Sequence, residues 1–135
     1  MRKYICMVAC TVLVAGFAGC KKSDKSEMSD LYTGMTGIFE QTAIKIEASK
    51  TGKEAGDVLL SSSDKMLEFS RKADEFAKSH PDFNVANESE FKDEIMKYKE
   101  ASGKFLKAVS NAGVKFAKDK DYQEALQKIA LQMRK

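Results

Sequence analysis

The stretch FKDEIMKYKEASGKFLKAVSNAGVKFAK, residues 91–118, holds the longest regular apolar pattern in the chain. Phe91, Ile95, Tyr98, Ser102, Phe105, Val109, Ala112 and Phe116 follow one another in steps of four and three. Such steps keep one stripe of a 3.6-residue helix facing the same way, and a narrow stripe is the seam of a helix packed nearly parallel or antiparallel to its neighbours. Asn87, Glu88, Ser89 and Glu90 stand before it as an N-cap residue with an acid at the third helical position, so the spacing predicts a helix over 88–118.

On the N-terminal side, Leu31, Met35, Ile38, Thr42 and Ile46, widened by Tyr32, Phe39 and Ala43, predict a core-facing helix over 28–49. Thr51 and Glu54 resemble a capping box, and with Gly52 and Gly56 they place the start of a second helix between 52 and 57. Leu59, Met66, Phe69, Ala73 and Phe76 mark its buried side; Ser61, Ser62 and Ser63 are its weak point, and Pro81 ends it near Ser79 by restricting His80. On the C-terminal side, Asp121 with Glu124 can cap a short helix carrying Tyr122, Leu126, Ile129 and Met133. Only 119–121 interrupt the last two helices, which leaves open a continuous one. Short connections favour antiparallel neighbours, so the expected fold is all-α: an antiparallel helical bundle of three long helices plus a short C-terminal helix.

Composition agrees. A chain of 135 residues, with charged residues at 32% and a single proline, suits one helical domain rather than a sandwich or a disordered tail. Without Arg2 and Lys3 it carries 21 basic against 20 acidic residues. The balance is uneven: residues 24–100 hold 11 Lys and Arg against 17 Asp and Glu, whereas 101–135 hold 8 against 3. Cys6, Cys10 and Cys20 all precede the helices, so the folded part has neither a disulfide framework nor a thiolate cluster for a metal.

Arg2 and Lys3 are followed by an almost unbroken apolar run from Tyr4 to Ala18, then by Gly19, Cys20, Lys21 and Lys22. This is the layout of a secretory signal. The run is about 22 Å long as a helix, short of the ~30 Å hydrocarbon core that a permanent span must cross. The stretch Phe17-Ala18-Gly19-Cys20 resembles the lipobox of bacterial lipoproteins, with Phe17 standing where Leu is usual. The resemblance implies cleavage between Gly19 and Cys20, and a covalent diacylglycerol and N-acyl lipid of the palmitate class on Cys20. It also implies a lipid-anchored protein of the cell envelope, with the outer membrane favoured in a diderm host because Lys21 rather than Asp follows the cysteine. An ordinary secretory signal with an incidental cysteine, or a retained anchor, are the alternatives. The expected organisation is a signal peptide over 1–19, a lipidated N-terminus and flexible tether over 20–27, and a helical bundle domain over 28–135.

Candidate chemistry is sparse. His80 is the only histidine, so triads and multi-histidine metal or haem sites lack their residues, and the Glu-x-x-His pattern of di-iron bundles is missing. Glu40, Glu47, Asp93 and Glu94 sit among basic neighbours on polar faces. Met28, Met35, Met66, Met96 and Met133 fit core packing better than Cu(I) ligation. No catalytic residue, metal site or cofactor is expected beyond the lipid. Phe83 and Val85, around Asn84, are either a partner-binding knob or a cover for the bundle end.

The strongest surface feature is a lysine stripe, Lys97, Lys104, Lys107, Lys115 and Lys118, expected opposite the apolar seam of the third helix. It suits an anionic lipid or glycolipid surface or an acidic envelope protein, or else it is a solvated face balanced by the acidic helices. Nucleic acid is not expected, since the stripe lacks interleaved aromatics for base stacking. The expected function is a membrane-anchored, non-enzymatic envelope interaction module; the alternative is a carrier of an apolar ligand or lipid within the bundle.

Overall fold

A computed structural model describes residues 22–81 and 90–134. Within them the chain forms four α-helices and no strand: α1 Lys22–Ala48, α2 Gly52–Ser79, α3 Lys92–Lys115 and α4 Lys120–Gln132.

α1 begins six residues before its expected start, so residues 22–27, read as part of a flexible tether, are its opening turns. Their polar composition offers no stripe of its own; tertiary partners supply the stabilisation instead. Lys25 pairs with Glu90 at 2.6 Å, the Ser29 hydroxyl donates to Glu94 at 3.0 Å, and Met28 is buried with Phe76 and Phe91. α2 begins on the predicted cap. The Thr51 hydroxyl accepts the Glu54 amide at 3.2 Å, and the Glu54 carboxylate reaches back to the Lys50 amide at 2.8 Å, one residue before the usual capping-box partner. The helix continues through Ser61–Ser63, because the two inward hydroxyls find partners on other helices: Ser62 meets Thr42 at 2.7 Å and Ser63 donates to Gln132 at 3.0 Å.

α3 is shorter than expected at both ends. It starts at Lys92 with Phe91 in the cap position and no side-chain cap bond; Asn87, the expected cap, lies outside the described residues. Burial of the Phe91 ring between Tyr32 and Phe76 fixes that end instead. At the other end a turn over 116–118 separates α3 from α4, so the last two helices are not continuous. Phe116 and Tyr122 meet at 5.8 Å in one core, which requires the chain to reverse between them. Asp119 rather than Asp121 caps α4, accepting the Tyr122 amide at 3.2 Å.

α1 lies against both α2 and α3, and α4 lies against α2. The core forms three tiers. Met28, Tyr32, Phe76 and Phe91 make the first; Met35, Phe39, Met66 and Ala101 the second. The third, around Ala43, Ile46, Leu59, Ala108, Ala112 and Tyr122, is the only one to which α4 contributes a buried residue. Along these tiers α1 numbers rise as α2 numbers fall, so that pair is antiparallel. The α1 and α3 numbers rise together, and these two helices run parallel. So do α2 and α4, from Gly52 beside Asp119 to Ser63 beside Gln132. Antiparallel packing therefore holds for α1 and α2 but not for these two close pairs. Loop length sets the direction of the next helix in the chain, whereas the apolar faces choose which helices touch.

The seam of α3 is also displaced. Its buried residues are Ala101, Ala108 and Ala112, while Ile95, Tyr98, Phe105 and Val109 are half-buried along the flank. Small residues at the centre let two helix backbones approach closely, and the larger rings then wrap the sides: Tyr98 and Phe105 both pack on Phe39, at 5.6 and 5.1 Å.

Candidate functional site

Gly19 and Cys20, together with Phe17, Ala18, Phe83 and Val85, lie outside the described residues. The lysines of α3 lie within them, and all five are exposed. Lys118 stands in the turn after α3; at about 100° per residue the four on the helix share an arc of about 80°, but that arc adjoins the buried alanines rather than opposing them. The stripe therefore borders α1. Two of its members serve the fold. Lys104 pairs with Glu100 at 2.8 Å. That hydrogen bond raises the Lys104 pKa and lowers that of Glu100, and Glu40 of α1 adds a smaller pull on Lys104. Lys115 donates to the Ser49 carbonyl at 2.8 Å and lies 4.9 Å from the Phe116 ring centroid. It places a cation where the carbonyls at the end of α1 leave partial negative charge. Among the described residues Lys97, Lys107 and Lys118 make no ion pair.

The face opposite the core is occupied differently. Met96 is 60% exposed, Leu106 37% and Val114 79%. Met96 and Val114 are eighteen residues apart, which is five full turns, so they stand on one line. Sequence reading assigned Met96 to the core and overlooked the other two. Projecting every apolar residue of 91–118 on a helical wheel, rather than only those on the seam, would have found them.

Beside the end of the stripe, Asp119 joins two helices. One carboxylate oxygen accepts the Tyr122 amide and the other the Gly52 amide, both at 3.2 Å, so a single side chain caps α4 and the start of α2. The carboxylate occupies the space a Cβ on Gly52 would need. Compared with known protein families, curated proteins and solved structures, this chain matches none. The site must be read from its own residues.

A concave feature lies between α1 and α2, a cleft of about 440 Å³. Leu31, Phe69 and Phe76 give it an apolar side, and Glu27, Asp30 and Glu75 a carboxylate rim. Lys72 extends over the Phe69 ring, 5.1 Å from its centroid, while paired with Glu68 at 2.7 Å. His80 closes the nearby end of α2, its ring stacked on Phe76 at 4.4 Å and its Nδ1 3.0 Å from the Phe76 carbonyl. The histidine thus takes part in ending the helix. Among the described residues no three His, Cys, Asp or Glu side chains gather where they could hold a metal ion. No helix there is long and apolar enough to cross a membrane.

Proposed function

We propose that this chain is a bacterial lipoprotein of the cell envelope. Residues 1–19 are its export signal, and cleavage after Gly19 exposes Cys20 to carry diacylglycerol and an N-acyl chain. The part that follows is a non-enzymatic interaction module, built as a bundle of three long helices and a short one. In a diderm host its place is the outer membrane. The observation that supports this reading is the position of α1, which starts at Lys22. Cleavage before Cys20 leaves α1, and everything packed on it, whole. From Cys20 to Lys22, the first described residue, the chain spans at most about 7 Å. A two- or three-chain anchor holds far more firmly than the marginal binding of one acyl chain.

Acyl labelling tests the anchor. In cells fed a labelled fatty acid, the protein incorporates label and fractionates with membranes, and Cys20→Ala abolishes both. Unchanged labelling and membrane association in that variant would remove the anchor from the account.

The cleft between α1 and α2 favours a second reading, a carrier of an apolar ligand or lipid. About 440 Å³ falls within the usual size range of small-molecule sites, and Leu31, Phe69 and Phe76 offer apolar contact. Native mass spectrometry of protein purified from membranes separates the two: a carrier retains a stoichiometric non-covalent adduct that Phe69→Ala releases, whereas a tethered interaction module shows only its covalent acyl mass.

A further inference from the structure

From Ile95 to Lys118 the chain carries six lysines and a single acid, Glu100, which Lys104 already holds. All seven charges are exposed, as are Met96, Leu106 and Val114 on the same helix. A side chain added at Gly103, between these apolar residues, would meet nothing within 4 Å, so that position opens to solvent.

The geometry points to α3 as an interfacial helix: its outward face, centred on Met96, Lys107 and Val114 with Lys97 at one edge and Leu106 at the other, rests on an anionic phospholipid surface together with Lys118 of the turn that follows, the helix axis lying in the membrane plane. This inference rests on the anchored reading of Cys20. Because α1 and α3 run parallel, the N-terminus of α3 lies at the anchored end. Rotation about that end lays the whole helix of 24 residues, about 36 Å, on the surface.

The lysines complement anionic headgroups, and an anchor keeps the local concentration of that surface high, so individually weak contacts suffice. In an upright bundle Lys115 and Lys118 would stand ~35 Å from the membrane, several times the ~8 Å over which salt lets charges attract. They contribute only when the helix lies flat. A bilayer suits the face better than an acidic protein does. The three apolar side chains are spread over eighteen residues rather than gathered into the central cluster that anchors protein partners, and a soft interface accepts them separately.

The chain has no tryptophan, so Val114→Trp gives a single reporter on this face and Leu131→Trp a reference on α4, where Leu131 is 60% exposed. Full-length protein purified from membranes is reconstituted into phosphatidylcholine vesicles with or without phosphatidylglycerol, their acyl chains brominated. The expected result is quenching about threefold stronger for Val114→Trp than for the reference in the anionic vesicles. The excess disappears without phosphatidylglycerol, or when Lys97→Glu, Lys107→Glu and Lys118→Glu are added. Equal quenching of the two reporters overturns the proposal, including the case in which α3 instead meets an acidic protein. Intact mass of the same preparation reads acylation of Cys20 separately. If no acyl mass is found the anchor reading fails, and the α3 face is then judged by adding the protein to preformed anionic vesicles, where absence of excess quenching overturns it as well.

Discussion

Tyr122 is the most enclosed large side chain among the described residues, and its hydroxyl has no hydrogen-bond partner. Leaving a buried hydroxyl unpaired costs about 1–3 kcal/mol, whereas the ring contributes all of its apolar burial. Tyr122→Phe is therefore expected to raise stability by about 1 kcal/mol in urea unfolding, and a loss would show that the hydroxyl has a partner. Burial also pushes the Tyr122 pKa above its usual value of 10.0. The folded state resists deprotonation, so the associated stability is complete below pH 10 and declines as pH rises from there through the folded-state pKa. The advantage of Tyr122→Phe should accordingly widen above pH 10, which unfolding curves measured across that range would reveal.

Thr42 and Ser62 pose the opposite case. Their oxygens lie 2.7 Å apart, and each also meets a carbonyl of its own helix, Ile38 at 2.6 Å and Val58 at 2.8 Å. Removing one partner leaves the other only the carbonyl of its own helix, a loss of one buried hydrogen bond at about 1 kcal/mol, while removing both is near neutral. Thr42→Val and Ser62→Ala should each lower the urea midpoint, and the double variant should recover most of the loss. Strict additivity would show that the two hydroxyls do not depend on each other. The sequence pattern placed Thr42 on the apolar stripe correctly, but nothing in it linked Thr42 to a serine twenty residues away.

Among the elements, α4 depends most on a single side chain. Asp119 caps both α4 and the start of α2, so Asp119→Ala is expected to cost about 1–2 kcal/mol in thermal or chemical unfolding. Gly52→Ala puts a methyl group into the same carboxylate and should cost a similar amount, about 1–3 kcal/mol. The two are coupled: in an Asp119→Ala background the methyl has room, and Gly52→Ala should then cost under about half as much. Equal penalties in both backgrounds would break that account. Helix existence was legible for all four elements because their apolar periodicity is local. Ends were less so. Thr51 was readable as a cap since its partner Glu54 is three residues on; Asp119 stands equally close to Tyr122 but was passed over because Asp121 with Glu124 offers a similar local pattern, and its second bond, to Gly52, is far away in sequence.

At the scale of the whole molecule, the three core tiers are unequal. Four helices enclose the third tier around Ala55 and Tyr122, while three close the first around Met28 and Phe91. Apolar enclosure sets the free energy of local opening, so native-state hydrogen exchange should be slowest for amides near Ala55, Ala108 and Ala112 and fastest for the first turns of α1 and α3. Uniform protection along the bundle would contradict this order. The candidate surface divides in the same way. The lysines of α3 were visible from their spacing, but their share in holding the fold was not, because Lys115 reaches a carbonyl on α1 and Lys104 lies near Glu40.

What the sequence by itself determined is the all-helical character and the approximate helix spans, since each depends on neighbours within a turn or two. Tertiary structure alone decided that α1 and α3 run parallel and that alanines rather than aromatic residues form the centre of their contact. Those outcomes depend on which apolar faces meet, and that choice is made by shape and close packing between residues distant along the chain.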